Sequence, residues 1–248
     1  MNINLLLDIA RCPVVQHCLA NPRIDHPCAD IVRVQHSRTY ADHQTPEPWS
    51  GHLSYAPILF LSSNPSLSDR DVVPTGDWTD DSIIDYFENR FGGGRKEWIK
   101  DGTRGLSKDG SHLGATMFWA AVRRRAAELL QRDVTPGIDY ALTEIVHCKS
   151  RAEQGVRQAL DHCKGRYLSR VMKASAARVV VALGSLARQA LTAELCVSDN
   201  ARLRGPVEFF GRERVIACLP HPNARTKRTF PAVMSREELQ VIRNHLHR

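Results

Sequence analysis

The stretch PILFLSSNPSLSDRD, residues 57–71, runs from an apolar segment (58–61) directly into Ser62, Ser63, Asn64, Pro65 and Ser66. Asn, Pro and Ser are ordinary turn formers. They are also what a ligand loop needs at the carboxyl end of a central parallel strand, where open α/β sheets bind. Two later stretches have the same form. ALTEIVHCKS (141–150) runs from a strand-like segment into His147, Cys148, Lys149 and Ser150, and VIACLPHPNARTKRTF (215–230) places His221 between two prolines, which fix the backbone where a side chain must be aimed. Polar, proline-flanked loops gathered on one sheet edge are candidates for a ligand site.

The elements that must position them alternate. Apolar periodicity predicts helices over 3–19, 80–91, 114–132 and 153–174, one beginning at Ser185 as its cap, and a last one from Ser235 with Glu238 completing a capping box. Strands are expected at 57–62, 139–146, 178–184 and 214–220, the third being a continuous run buried on both faces. This order predicts an α/β fold, a three-layer α/β/α arrangement around a mostly parallel four-stranded sheet. Residues 21–55 and the glycine-rich, basic 92–112 read as loops, the latter exposed and mobile. The chain 1–248 reads as one domain with an N-terminal helix and loop extension, 1–56.

Charged residues make up 25% and hydrophobic residues 42%, an ordinary globular balance, and no apolar run is long enough to span a membrane. The opening residues carry no basic leader, so the expected location is intracellular, cytoplasmic and nucleoid-associated. A formal net charge of +7 suits a polyanionic partner. Seven cysteines in such a compartment are expected to be reduced thiols, metal ligands or core residues, Cys196 and Cys218 among the last.

LSSNPS, ALTEIVHCKS, RVVVALGSLARQAL and LPHPNAR, in this order over about 57–231, resemble the ordered motifs of the uracil-DNA glycosylase superfamily. The resemblance implies a monofunctional DNA glycosylase of base excision repair, a monomer acting on DNA with uracil or another deaminated base and having no membrane partner. Asn64 stands where that superfamily positions the attacking water, and His221 where it stabilises the departing base. Ser63 would add donors, Trp78 would be the stacking platform, with Phe87 and Phe91 as alternatives, and the MFW of 117–119 reads as core. Asn223, Arg225, Lys227 and Arg228 would hold DNA phosphates, and Phe230 would enter the gap left by a flipped base. No motif places a lysine as a Schiff-base nucleophile, so no lyase step is expected.

Cys148 and Cys163 have the spacing of half the ligand set in the iron–sulfur, family 4-like branch. That branch's close N-terminal cysteine pair is absent here. Cys28 with Cys12, or with Cys18, would complete four thiolates for a structural [4Fe–4S] cluster, zinc being the alternative metal. Glu144 departs most from the pattern, replacing an Asn that reads uracil. An ionised carboxylate only accepts hydrogen bonds, so either the base preference differs, or Glu144 faces elsewhere, or burial keeps it protonated. Ser62 and Ser66 replace glycines. A non-catalytic iron–sulfur module that binds nucleic acid or senses damage fits the basic charge as well, and a third reading is an α/β enzyme acting on free nucleosides.

Overall fold

The computed structural model describes residues 2–195 and 201–247. Pro13 divides the expected N-terminal helix into α1 (Ile3–Ala10) and α2 (Pro13–Ala20), with Cys12 at the junction. Proline cannot donate within a helix but suits its first position. A short α3 (Ala29–Arg33) follows within the expected loop. Then come β1 (Ile58–Ser62) and α4 (Asp80–Glu88), which starts at Thr79, whose side chain accepts from the Ser82 N–H.

The glycine-rich 92–112 is more structured than its composition suggests. It forms a small hairpin, β2 (Ile99–Lys100) and β3 (Arg104–Gly105), with Trp98 and Ile99 buried. The two apolar side chains anchor an otherwise polar loop. Beyond it lie α5 (Met117–Leu130), β4 (Tyr140–Glu144), α6 (Val156–Ala174), β5 (Val179–Leu183) and α7 (Ser185–Glu194). Gly184, rather than Ser185, is the cap of α7. The chain ends with β6 (Leu203–Glu208), β7 (Glu213–Leu219), α8 (Phe230–Val233) and α9 (Arg236–Leu246), the last carrying the capping box of Ser235 and Glu238.

The sheet order is β4-β1-β5-β7-β6. The four strands read from the sequence are parallel, and the fifth, β6, pairs antiparallel with β7 at the edge. Gly205 and Pro206 interrupt the β pattern of this strand, and such residues belong to edge positions. Side chains alternate between two apolar layers. Leu59, Leu61, Val180, Ala182 and Ile216 face α1, α4, α6 and α7. Ile58, Phe60, Val179, Val181, Val215 and Ala217 face α5, α8 and α9. The architecture is therefore α/β/α in three layers. Among the described residues no helix is long and apolar enough to cross a membrane.

Two anchors hold the periphery. Ser50 exchanges two backbone hydrogen bonds with Leu142, at 2.8 and 3.0 Å, and Thr143 Oγ1 donates to the Pro48 carbonyl at 2.7 Å. This pins the 47–50 segment along the outer edge of β4. On the other side Arg214 is fully buried and donates to the backbone carbonyls of Met172, Ser175, Ala177 and Phe209. Arg214→Ala should therefore strand several buried acceptors and lower stability by about 3 kcal/mol or more in urea unfolding, with an unchanged m-value.

Candidate active site

β1 and β4 pair in parallel register, with Ser62 opposite Glu144. Their continuations stay paired: Val146 N donates to the Ser63 carbonyl at 2.9 Å, and Ser150 N to the Pro65 carbonyl at 3.0 Å. The Asn-Pro loop is thus fixed against the segment that follows β4. Asn64 Nδ2 donates to the Pro65 carbonyl at 2.9 Å, and Ser63 Oγ lies 3.4 Å from Asn64 Oδ1. The amide therefore has a set orientation, with its oxygen available to a water.

His221 follows β7, two strands from β1. Asn223 N donates to its Nδ1 at 3.2 Å, which makes Nδ1 the acceptor and leaves Nε2 as the N–H of a neutral ring. Burial lowers the His221 pKa, against a smaller opposing influence of Glu153. The ring stacks on Phe118, with centroids 5.6 Å apart at 29°. Gly184 makes this approach possible: its φ is +91°, and a Cβ there would lie 3.3 Å from the His221 Cβ.

Asn64, Glu144, His221 and Asn223 line one cavity of about 250 Å³, together with Phe118, Trp119, Glu47, Arg90 and Lys149. The last three form a buried ionic group. Arg90 Nη1 donates to Glu47 Oε2 at 2.8 Å, Lys149 pairs with Glu47 Oε1, and the Arg90 guanidinium lies over the rings of Tyr86 and Trp119. Although burial opposes it, this pair of cations holds the Glu47 carboxyl below the usual carboxylate range. Glu144 is buried beside them. Burial, with the neighbouring Glu47 charge, pushes its pKa up to about 8 against the weaker pull of Arg90 and Lys149. The raised pKa favours the neutral form of Glu144, a carboxylic acid that both donates and accepts, at the cavity wall.

The other expected residues distribute differently. Ser63 is buried, and its hydroxyl donates to Glu153 Oε1 at 2.8 Å. Trp78 is not part of the cavity wall; it packs on Tyr86 and Trp98, at centroid distances of 5.9 and 5.6 Å. Phe118 and Trp119, which the sequence assigns to the core, take the wall position because the start of α5 sits against His221. Phe87 is core, and Phe91 packs near Tyr140. Phe230 cannot enter a DNA gap: it opens α8, is fully buried and belongs to the layer under α5 and α9. Arg225, Lys227 and Arg228 are exposed on the loop after His221, although Arg228 folds back to donate to the Pro222 carbonyl. Lys227 borders a second recess of about 690 Å³ with Arg188, Arg202 and the start of α7.

Glu47, Arg90 and Lys149 were not foreseen. The sequence signal for Glu47 is its Pro-flanked TPEPW setting; Arg90 and Lys149 look like ordinary helix-end and loop cations.

Cys12, Cys28, Cys148 and Cys163 all line a separate cavity, with His162, Arg166 and Tyr167. Cys18 is buried but is not among its lining residues, and Cys218 is buried in the sheet. Cys196 lies outside the described residues. The donor set suits a thiophilic centre. Among the described residues, however, no group of three or more His, Cys, Asp or Glu is arranged to hold one metal ion. A tetrahedral zinc site needs sulfurs about 3.8 Å apart. The open space is about 20 Å³, room for one water-sized group, so a four-iron centre requires the cysteine side chains to turn apart. Burial, then the neighbouring cysteines, raises the Cys28 thiol to about 12. Burial also raises Cys163 to about 12 and Cys148 well above its usual value, so metal uptake must release protons.

Glu144 binds a proton in the folded chain that the unfolded chain loses near pH 4.3. Its contribution therefore makes stability fall as pH rises from about 4.5 to about 8. Glu144→Gln should remove that slope and stabilise the protein at pH 8 by about 1 kcal/mol or more, read from urea unfolding at several pH values. Against known proteins, the chain matches no protein-family model and no curated protein, so the geometry of the site carries the functional argument.

Proposed function

We propose that the chain is a monofunctional DNA glycosylase that hydrolyses the N-glycosidic bond of uracil or another deaminated base in DNA. The observation that carries this reading is the single cavity in which Asn64, Glu144 and His221 meet from three strand ends. Its volume suits one planar base, and Phe118 and Trp119 give it aromatic walls. Neutral Glu144 offers an O–H donor beside a C=O acceptor, the complement of the N–H/C=O edge that deamination creates. His221 Nε2–H donates to the oxygen on which charge accumulates as the base leaves. Asn64 Oδ1 holds the water that adds to C1′.

A base inside a duplex must be flipped out to reach such a cavity. Arg225 and Lys227 are the exposed cations that contact phosphate. The apolar side chain that fills the gap is Met117, which is 74% exposed and adjacent to Phe118. Lys149 is committed to its ion pair with Glu47, in keeping with hydrolysis without a lyase step. The four convergent cysteines would hold a structural [4Fe–4S] cluster, which ties α2 and α3 to α6 and supplies no step of the hydrolysis.

Oligonucleotides carrying uracil, hypoxanthine or xanthine should become alkali-labile after incubation with anaerobically purified protein. Asn64→Ala and His221→Ala should each slow this by about 100-fold or more, with DNA binding retained. Glu144→Asn should change the order of preference among the three bases. Salt-sensitive binding without release of any base would instead support the non-catalytic module. Iron and sulfide should be present together in the purified protein and absent from Cys148→Ser and Cys163→Ser, while Cys18→Ser retains both. One zinc per chain without sulfide would contradict the cluster.

A further inference from the structure

Asn64 can orient a water but cannot take its proton, so the site as described lacks a base. Four acidic side chains lie in or beside it. Glu47 is locked between Arg90 and Lys149. Glu144 is buried and already protonated at neutral pH. Asp71 lines the cavity on its hairpin side, where a Cβ on Gly105 would lie 3.2 Å from its carboxyl carbon. Glu153 remains.

Its placement is specific. Glu153 Oε1 accepts from Ser63 Oγ at 2.8 Å, and the same hydroxyl lies 3.4 Å from Asn64 Oδ1. The carboxylate and the Asn64 amide thus flank one small side chain. Ser63, Glu153, His221 and Asn223 line a recess of about 340 Å³ that shares His221 and Asn223 with the cavity. Among the residues lining that recess, Glu153 and His221 are the titratable ones.

The backbone that delivers Glu153 is strained. Ala152 and Glu153 are consecutive non-glycine residues at φ +49° and +58°, a conformation that side chains disfavour. The loop is clamped there: Ser150 Oγ donates to the Gln154 carbonyl at 2.7 Å, and Ser150 N to the Pro65 carbonyl at 3.0 Å. Strain held by surrounding bonds is common where a side chain must be aimed.

We propose that Glu153 is the catalytic carboxylate, taking a proton from the attacking water while Asn64 and Ser63 hold that water beside the Asn-Pro loop. The proposal rests on the glycosylase reading. The water oxygen bonds to C1′ as the C1′–N bond breaks, and that electron pair leaves on the base, which His221 Nε2–H stabilises. One water proton goes to Glu153; the other stays on the new C1′ hydroxyl. Because Glu153 is exposed, it returns its proton to solvent. Its negative charge also opposes the positive charge that builds on the sugar.

Single-turnover excision separates this role from a structural one. Glu153→Gln still accepts from Ser63 but cannot take a proton, whereas Ser63→Ala removes the hydrogen bond and leaves the carboxylate. Glu153→Gln should slow excision by about 100-fold or more, with Ser63→Ala slowed less than about tenfold. Binding of an uncleavable substrate analogue should stay within about threefold in both, and added formate should restore part of the rate to Glu153→Ala but none to Glu153→Gln. Wild-type rates in Glu153→Gln, or equal losses in it and Ser63→Ala, overturn the proposal. So does a comparable loss confined to Asp71→Asn, which would move the role to Asp71. A wild-type chain that releases no base from any oligonucleotide refutes the glycosylase reading itself, a result distinct from excision that survives Glu153→Gln.

Discussion

The parallel register of β1 against β4 and β5 is the constraint on which the rest depends. It sets Ser62 level with Glu144 and carries the Asn-Pro loop past the sheet edge beside the segment that follows β4. The pairing of β5 with β7 then brings Leu219 level with Leu183, so that His221 and the Gly184 turn arrive at the same edge. A one-residue slip would turn every side chain of a strand to the other face. The two apolar layers prevent that slip, because each alternate residue of β1 and β5 is already committed to its own set of helices.

The site set on this frame is costly in electrostatic terms. Glu47, Arg90, Lys149 and Glu144 are all buried in one wall of the cavity. Such a group is tolerable only when each charge has a partner. Glu47 partners both cations, and the remaining carboxyl group, Glu144, takes up a proton in preference to a charge. One wall thus favours a neutral carboxyl group, while the cavity also holds an oriented amide and an imidazole, with the exposed Glu153 carboxylate in the adjoining recess. Under the proposed hydrolysis, a neutral and an ionised carboxyl group would take different roles.

The frame was legible because its signals are local. Four apolar runs and their following helices appear near the expected residues, and the capping box at Ser235 is present as read. Gly205 and Pro206 hide β6 from the strand pattern, and the apolar stripe of 3–19 continues across Pro13, where the helix breaks. In the site, Asn64 and His221 were legible because each follows an apolar run in polar, proline-flanked sequence, and Glu144 because it departs from the motif that the surrounding residues resemble. Phe118 and Trp119 were not, since helical spacing cannot say whether an aromatic faces core or cavity. Phe230 misled for a related reason: the basic segment before it suggests exposure, yet Pro231 starts a helical turn that draws it inward. Glu47 and Glu153 lie on loops brought in by long-range bonds, and no local pattern announces those.

Binding of a base between Asn64, Glu144 and His221, as proposed, can be measured without turnover. Uracil, hypoxanthine and xanthine can each be titrated as free bases into isotopically labelled protein, with the side-chain signals followed by NMR. For at least one base the Asn64 amide, the His221 ring and the Glu144 carboxyl should respond together with a single dissociation constant. Responses confined to other residues, or none for any base at saturating concentration, would contradict it.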